Sequence, residues 1–278
     1  MISRVHGPVV ALALVATGAL VGCRPTDDGT VMVFAAASLR DVLGRAIPAY
    51  TADRPGVRFV VSTDSSAALR AQIEQGAPAD LFLSADTTNP ARLVESGLAE
   101  GEPVAFAAAE LVIVVPADNP AGIRSPADLA RDGVRIIAAG PEVPITGYAD
   151  RLIAALAGID GFPADFAARY AANVRSREDN VRAVLAKIEL GEGDAALVYA
   201  PDARSSARLA TILLPDGVRV AATYAGVVVR DAVAADAAGV FLAWLAGPDG
   251  GAILADLGFV PAGPVEAAVT AFVEAAVP

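Results

Sequence analysis

The sequence predicts an α/β fold built from mostly parallel sheets. Short apolar runs alternate along the chain with segments of helical apolar spacing, which is the pattern of strands joined by crossover helices. The turns between them are short and rich in serine, glycine and proline, as is typical where a helix begins. With 278 residues, the chain is long enough for one large domain or for two lobes with separate cores.

Composition excludes several classes of function. The formal net charge is −11 and no basic block is present, which disfavours nucleic acid as a partner because phosphate binding needs clustered Lys and Arg. The single histidine, His6, and the single cysteine, Cys23, both lie near the start of the chain. If His6 is removed and Cys23 is lipidated, Ser-His-Asp and Cys-His nucleophiles and histidine-bearing metal sites are excluded. Carboxylate chemistry stays possible.

Residues 1–23 have the pattern of a bacterial lipoprotein signal peptide. Arg4 gives a positive start, and residues 8–21 form a largely apolar run too short to span a bilayer comfortably. Leu-Val-Gly then precedes Cys23, so lipidation would make this cysteine the new N-terminus. An ordinary secretory peptide with a chance cysteine is the alternative. We expect residues 24–30 to be a linker and the mature chain to lie outside the cytoplasmic membrane on a lipid anchor.

The first predicted unit is a strand at 31–34, three alanines, Ser38 and a helix that carries Leu39, Leu43 and Ile47. Because Ser38 stands where the strand meets the helix, its hydroxyl can cap that helix. The free N–H groups of the first turn, together with the helix dipole, can bind an anion.

A second unit repeats this order. Residues 57–62 predict a strand, and residues 67–74 predict a helix that follows Ser65 and Ser66. Simple N-capping explains one such turn, but two in succession favour an anion site.

Residues 79–84 predict a third strand, and a helix follows it as far as Gly97. Asp80 and Asp86 flank this strand, and we expect them to serve a turn and a helix cap rather than a catalytic carboxylate pair.

The middle of the chain continues the alternation. Strands are predicted at 110–116 and 134–138, with a helix opening at Ser125 between them. Residues 140–147 form a loop with two prolines and two glycines, which leads into a helix at 148–156. This loop is a third place where N–H donors could be presented, although an ordinary connection explains it equally well.

A fourth helix start follows a polar, solvated stretch. The helix covers 181–190, with Asp179 or Asn180 as its cap, and a strand at 195–199 ends in Tyr199. The Tyr199 hydroxyl could reach into a cleft or could simply be half-buried beside water.

The last part of the chain contains further regular elements. Strands are predicted at 211–214 and 224–229, and helices at 234–246, 250–257 and 266–276.

Four segments together resemble the molybdate-binding proteins of bacterial ABC importers. They are FAAASL at 34–39, SSAALRAQIEQGAPADLFLSAD at 65–86, VPITGY at 143–148 and EDNVRAVLAKIELGEGDAALVYAPDA at 178–203. The resemblance implies the two-lobed type II periplasmic-binding-protein fold, in which each lobe is a mostly parallel sheet flanked by helices and two hinge crossovers join the lobes. Lobe I would comprise 31–109 plus 223–278, and lobe II would comprise 110–222.

The resemblance also implies how a ligand is held. Five positions would surround an oxyanion: Ser38 and Ser66 through hydroxyl and N–H groups, Ile145 and Val181 through N–H groups, and Tyr199 through its hydroxyl. Ser65 and Thr146 are neighbours that could shift the register by one residue. Ile145-Thr146 departs from the small residues common in the family at this loop, but a backbone donor does not depend on its side chain.

Molybdate and tungstate are the expected ligands. Molybdate is a tetrahedral dianion, and neutral donors at four helix starts can satisfy it without Lys or Arg. Tungstate has nearly the same size and charge. We therefore expect a monomeric lipoprotein, neither an enzyme nor dependent on a cofactor, that delivers its ligand to a membrane permease. The alternatives are a binder of another oxyanion such as sulfate, a carboxylate hydrolase working through Asp80 and Glu110, and a sensor domain.

Overall fold

The computed structural model describes residues 29–261. The predicted signal peptide with Cys23, residues 24–28 of the predicted linker and the predicted helix at 266–276 lie outside these residues. Within the described part, no single helix has the length and apolar character to cross a membrane, although two consecutive helices bent by 60° pass that test jointly on length and composition.

Strands and helices alternate along most of the described chain. The strands are β1 (Thr30–Ala36), β2 (Arg58–Asp64), β3 (Leu81–Ser84), β4 (Ala99–Pro116), β5 (Ile136–Ala139), β6 (Val174–Glu178), β7 (Ala195–Tyr199), β8 (Leu209–Ile212), β9 (Ala221–Val229) and β10 (Val260–Pro261). The α-helices are α1 (Arg40–Ala52), α2 (Ser66–Glu74), α3 (Thr88–Glu95), α4 (Pro144–Ala157), α5 (Phe166–Asn173), α6 (Val181–Glu189), α7 (Ala200–Arg204), α8 (Ala235–Ala246) and α9 (Pro248–Asp256). Two 3₁₀ turns cover Ala37–Leu39 and Pro126–Ala130.

The long strand β4 belongs to two sheets. Up to Glu110 it pairs with β9 in the first sheet, whose order is β2-β1-β3-β9-β4 with β10 also on β4. From Leu111 onward it pairs with β7 and β8 in the second sheet, which continues from β7 through β5 to β6. Strand β9 begins beside Glu110 and runs back along the first sheet, so β4 and β9 carry the chain between the two sheets.

The α/β class is confirmed, and the sheets are mixed. Strand β1 pairs in parallel with β2 and β3, and β5 pairs in parallel with β6 and β7, as crossover helices require. Every pairing of β4 and β9 is antiparallel. The expectation of mostly parallel sheets therefore understated the antiparallel share, because β9 runs opposite to β4 when it returns the chain to the first sheet.

The core consists mainly of Val, Leu, Ile and Ala side chains on both sheets. An aromatic cluster lies under α1 and α8, where Tyr50 makes edge contacts with Phe59, Phe241 and Trp244. Phe241 is fully buried, and Trp244 is partly buried against it. This packing fixes α1, and with it the turn that precedes α1.

Four elements escaped prediction from the sequence. Helices α5 and α7 and the short strand β10 were not predicted, and the polar stretch before α6, expected to be solvated, contains β6. Strand β6 forms the edge of its sheet and alternates partly buried with exposed residues, so its charged side chains are compatible with a strand. Helix α4 begins at Pro144, earlier than the predicted start at 148, because proline fits the first position of a helix.

Asp80 and Asp86 have the structural roles predicted for them. The Asp80 carboxylate accepts hydrogen bonds from the N–H groups of Met32 at 2.7 Å and Ala234 at 3.0 Å. The Asp86 carboxylate accepts the N–H of Asn89 at 2.9 Å in the first turn of α3. Asp86 therefore stabilises the local backbone of a helix start, whereas Asp80 holds backbone from two distant segments of the chain.

Candidate functional site

All five predicted donor residues line one cavity between the ends of the two sheets. They are Ser38, Ser66, Ile145, Val181 and Tyr199, and each is at most 4% exposed. Each follows or ends a strand of the parallel sets, because β1, β2, β5, β6 and β7 all direct their carboxyl ends toward this cavity. Ligand sites of α/β proteins lie at such strand ends.

The cavity is small. Its volume is about 10 Å³, whereas one water molecule needs roughly 10–15 Å³ by the same measure. The two sides are therefore nearly in contact, and a tetrahedral oxyanion, which is larger than water, requires the walls to move slightly apart.

Ser38 does not cap a helix, so that expectation is wrong. The 3₁₀ turn at Ala37–Leu39 delays the start of α1 to Arg40, and its N-cap residue makes no side-chain cap bond. The Ser38 hydroxyl instead lies 2.9 Å from the hydroxyl of Tyr224 on β9. If Tyr224 donates in this pair, the Ser38 proton is available to a ligand.

The two serines before α2 have different partners. Ser65 is the N-cap, and its hydroxyl accepts the N–H of Ala68 at 3.3 Å. The Ser66 hydroxyl accepts the N–H of Ala85 at 3.0 Å, which leaves its own proton free to donate. Both serines line the cavity, but the hydroxyl of Ser65 already serves the helix.

The first turn of α4 distinguishes the two candidate donors of its loop. Pro144 has no N–H, and the Thr146 N–H donates to the carbonyl of Val143 at 2.9 Å. The Thr146 hydroxyl donates to the carbonyl of Gly140 at 2.7 Å, which ties this turn to the end of β5. Among the turn and cap hydrogen bonds of residues 29–261, none uses the N–H of Ile145, so Ile145 is the better candidate donor.

Helix α6 begins in a similar way. The Asn180 side chain accepts the N–H of Ala183 at 3.1 Å, as predicted for a cap. Its amide also donates to the carboxylate of Asp64 at 3.1 Å, which lies at the end of β2 in the first sheet. Val181 is the first residue of α6, where a helix provides no acceptor for the N–H.

Tyr199 has a buried hydroxyl without a hydrogen-bond partner among the described residues. Burial, with a smaller contribution from Tyr224, raises the pKa of Tyr199 well above its usual value. The group is therefore a neutral O–H donor. Because a buried polar group without a partner is costly, this hydroxyl points to a ligand that accepts hydrogen bonds.

The chemistry of the cavity suits an anion. Its described lining provides hydroxyl and helix-start N–H donors, and no Lys or Arg is among those residues. Such donors favour an ion that accepts bonds at every oxygen and carries no proton of its own to donate.

Sequence reasoning missed two groups around the cavity. Tyr224 contacts Ser38, although the two residues are 186 positions apart in the sequence. Arg182 lies 2.5 Å from Asp41, which is on the opposite side of the cleft between the two sheets. Local spacing carries no signal for either contact, since each depends on how β4 and β9 bring the two sheets together.

The fold, with a cavity between the ends of two sheets, is that of an α/β binding protein. Residues 31–260 match the family of bacterial extracellular solute-binding proteins, and the chain belongs to that family. It is a solute-binding protein and not an enzyme.

Similar proteins include binders of two oxyanions. The molybdate-binding protein ModA of Mycobacterium tuberculosis is 36% identical over 237 residues, which are 84% of this chain and 86% of the relative. The periplasmic molybdate-binding protein of Azotobacter vinelandii has a TM-score of 0.71 at 22% identity, covering 84% of this chain and all of that one. The sulfate-binding protein SubI of M. tuberculosis has a TM-score of 0.74 at 24% identity, covering 88% and 91%. These two structures show the shared fold.

Proposed function

We propose that this chain is the extracytoplasmic substrate-binding component of an ABC importer and that it binds molybdate. The observation that carries the proposal is the convergence of five buried donor residues on one cavity, including a Tyr199 hydroxyl without a partner among the described residues. The relative in M. tuberculosis, which bears the name of a molybdate-binding protein, supports the choice of ligand. Tungstate, with the same charge and nearly the same size, would bind as well.

The binding unit would consist of two lobes, residues 31–109 plus 223–278 and residues 110–222. The change of partners along β4 at Glu110 and Leu111 supports this division. Ser38 and Ser66 would belong to one lobe, and the other three donor residues to the second. The lobes would close on the anion and present the closed surface to a membrane permease.

We further propose that Cys23 is lipidated and that the chain works as a monomer on a lipid anchor. The sequence Leu-Val-Gly before Cys23 supports the anchor. Mass spectrometry of the membrane fraction would detect the lipid on Cys23, and a Cys23→Ala chain should leave that fraction.

Sulfate is the second candidate. Like molybdate, it is a tetrahedral dianion that accepts hydrogen bonds at every oxygen, so the same neutral donors could hold it. Calorimetric titration of the purified chain with molybdate, tungstate and sulfate separates the two proposals. We expect comparable affinity for molybdate and tungstate and at least tenfold weaker affinity for sulfate. Equal affinity for sulfate would make sulfate the preferred ligand.

The double substitution Ser38→Ala and Ser66→Ala tests the site. We expect molybdate affinity to fall at least tenfold, about 1.4 kcal/mol, since two hydrogen bonds to a charged ligand are lost. Tyr199→Phe should weaken binding less. Ser96→Ala is the control, because Ser96 lies at the end of α3 and its hydroxyl bonds only locally, to Leu93. Unchanged affinity in the double variant would refute the assignment.

A further inference from the structure

One arginine connects carboxylates on both sides of the cleft. Arg182 is the second residue of α6, directly after Val181. Its Nη2 atom lies 2.5 Å from Oδ2 of Asp41 on α1, beside the first sheet. Its Nε atom lies 3.1 Å from Oδ1 of Asp202 on α7, which follows β7 of the second sheet.

The burial of these groups distinguishes the contact of Arg182 that stays within one side of the cleft, with Asp202, from the contact that crosses the cleft, with Asp41. The Asp202 side chain is fully buried, and the Arg182 side chain is 21% exposed. Arg182 and Asp202 stand at ion-pair distance without hydrogen-bond geometry, and no other described residue bonds the Asp202 carboxylate. When it is ionised, a buried carboxylate needs a cation nearby, so the Asp202 carboxylate keeps Arg182 on its own side of the cleft.

The contact between Arg182 and Asp41 crosses the cleft and is partly exposed to solvent. The Asp41 side chain is 44% exposed and can be solvated when the two sides separate. The bridge also borders the anion cavity, because Ser38 lines both that cavity and an adjacent cleft of about 190 Å³ that contains Asp41 and Arg182. Closing this ion pair therefore brings α6 toward the turn that holds Ser38.

We propose that Arg182 is a positioning residue for the anion, an inference that rests on the proposed function. Asp202 holds Arg182 on one side, and Arg182 pairs with Asp41 of the other side when the cleft is closed. The pair limits how far the Val181 N–H can move away from Ser38 when the anion parts the walls of the cavity. Its loss should speed ligand release strongly and ligand entry at most twofold, because entry needs only the open cleft, which the bridge makes slightly less populated.

The test uses Asp41→Asn in the full chain, since Asp41 is exposed enough for the fold to tolerate the change. Stopped-flow kinetics should show molybdate dissociation about tenfold faster and association within twofold of the unsubstituted chain. High salt should accelerate dissociation from the unsubstituted chain, because salt screens the ion pair, and should have little effect on Asp41→Asn. Arg182→Gln also removes the cation beside the buried Asp202, so it should accelerate dissociation at least as much as Asp41→Asn, and the double variant should be no faster than Arg182→Gln.

Asp165→Asn is the matched control, because Asp165 is an exposed partner of Arg169 on α5. Small-angle scattering without ligand provides a second readout: Asp41→Asn should have a larger radius of gyration than the unsubstituted chain, and Asp165→Asn should not. Unchanged dissociation and an unchanged radius in Asp41→Asn would overturn the proposal. If the unsubstituted chain binds no molybdate, the proposed function fails, and the scattering comparison alone decides whether the bridge closes the cleft.

Discussion

Tyr224 contacts the proposed donor Ser38, and the direction of their hydrogen bond decides whether the Ser38 hydroxyl proton is free to bond a ligand. Burial raises the pKa of Tyr224 well above its usual value, so the phenol keeps its proton. With an anion in front of Ser38, the favourable arrangement has Tyr224 donating to Ser38 and Ser38 donating to the anion, since such chains of hydrogen bonds strengthen one another.

Tyr224→Phe should therefore weaken molybdate binding about fivefold, close to the 1 kcal/mol typical of one hydrogen bond. Isothermal titration calorimetry measures the change. Tyr170→Phe is the matched control, because Tyr170 is a buried tyrosine on α5, apart from the cavity lining. Equal affinity in the two variants would show that Ser38 orients its proton without Tyr224.

Asp202 should make the stability of the fold depend on pH. Burial raises its pKa from 3.8 to about 7, although Arg182 acts in the opposite direction. The folded chain thus prefers the protonated carboxyl, so this contribution to stability is complete below about pH 4 and is lost as the pH rises through about 7. At about 1.4 kcal/mol per pKa unit, the loss amounts to a few kcal/mol.

Asp202→Asn should remove this dependence. Urea unfolding of both chains between pH 4 and 8 measures it. The variant should gain stability relative to the parent chain as the pH rises across that range. A constant difference at every pH would show that the carboxyl of Asp202 does not titrate in this window.

At the scale of single elements, the sequence was most informative where structure is local. The strand at 195–199 and the start of α6 at Val181 agree with prediction, because an apolar run and a capping Asn180 act within a few residues. Helix α5 and strand β6 were missed. The charged residues of β6 are typical of a loop, and they fit a strand only because β6 lies at the edge of its sheet.

The cap of α6 gives a prediction at this scale. Asn180→Ala should lower the unfolding free energy by about 1 kcal/mol, because the first turn loses its side-chain acceptor. Asn180→Ser should recover most of that loss, since serine caps about as well as asparagine. Urea denaturation compares the three chains, and equal stability of the Ala and Ser variants would show that the cap contributes little.

At the scale of the whole molecule, the site depends on geometry that no local pattern contains. The resemblance to a known family indicated five candidate donor residues, and the structure places them around one cavity. It could not indicate Tyr224 or the bridge from Arg182 to Asp41, because these contacts join residues 186 and 141 positions apart. They exist because β4 and β9 bring the ends of two sheets face to face.

An anion that is held by donors from both sheets must stabilise both sides of the cleft at once. Ser38 and Ser66 come from the first sheet, and Ile145 and Val181 come from helices of the second, so each N–H should exchange more slowly when molybdate is present. At a ligand concentration of 100 times Kd, openings that release the ion become about 100-fold rarer, equivalent to about 2.7 kcal/mol.

Hydrogen exchange followed by mass spectrometry tests this directly. Peptides that cover the four helix starts should slow together on adding molybdate, and peptides from α5 should not change. Slowing restricted to the peptides with Ser38 and Ser66, or to those with Ile145 and Val181, would mean that the ion binds one side alone. Because a one-sided ion gains nothing from closure, that result would also remove the reason for the Arg182 bridge to affect its release.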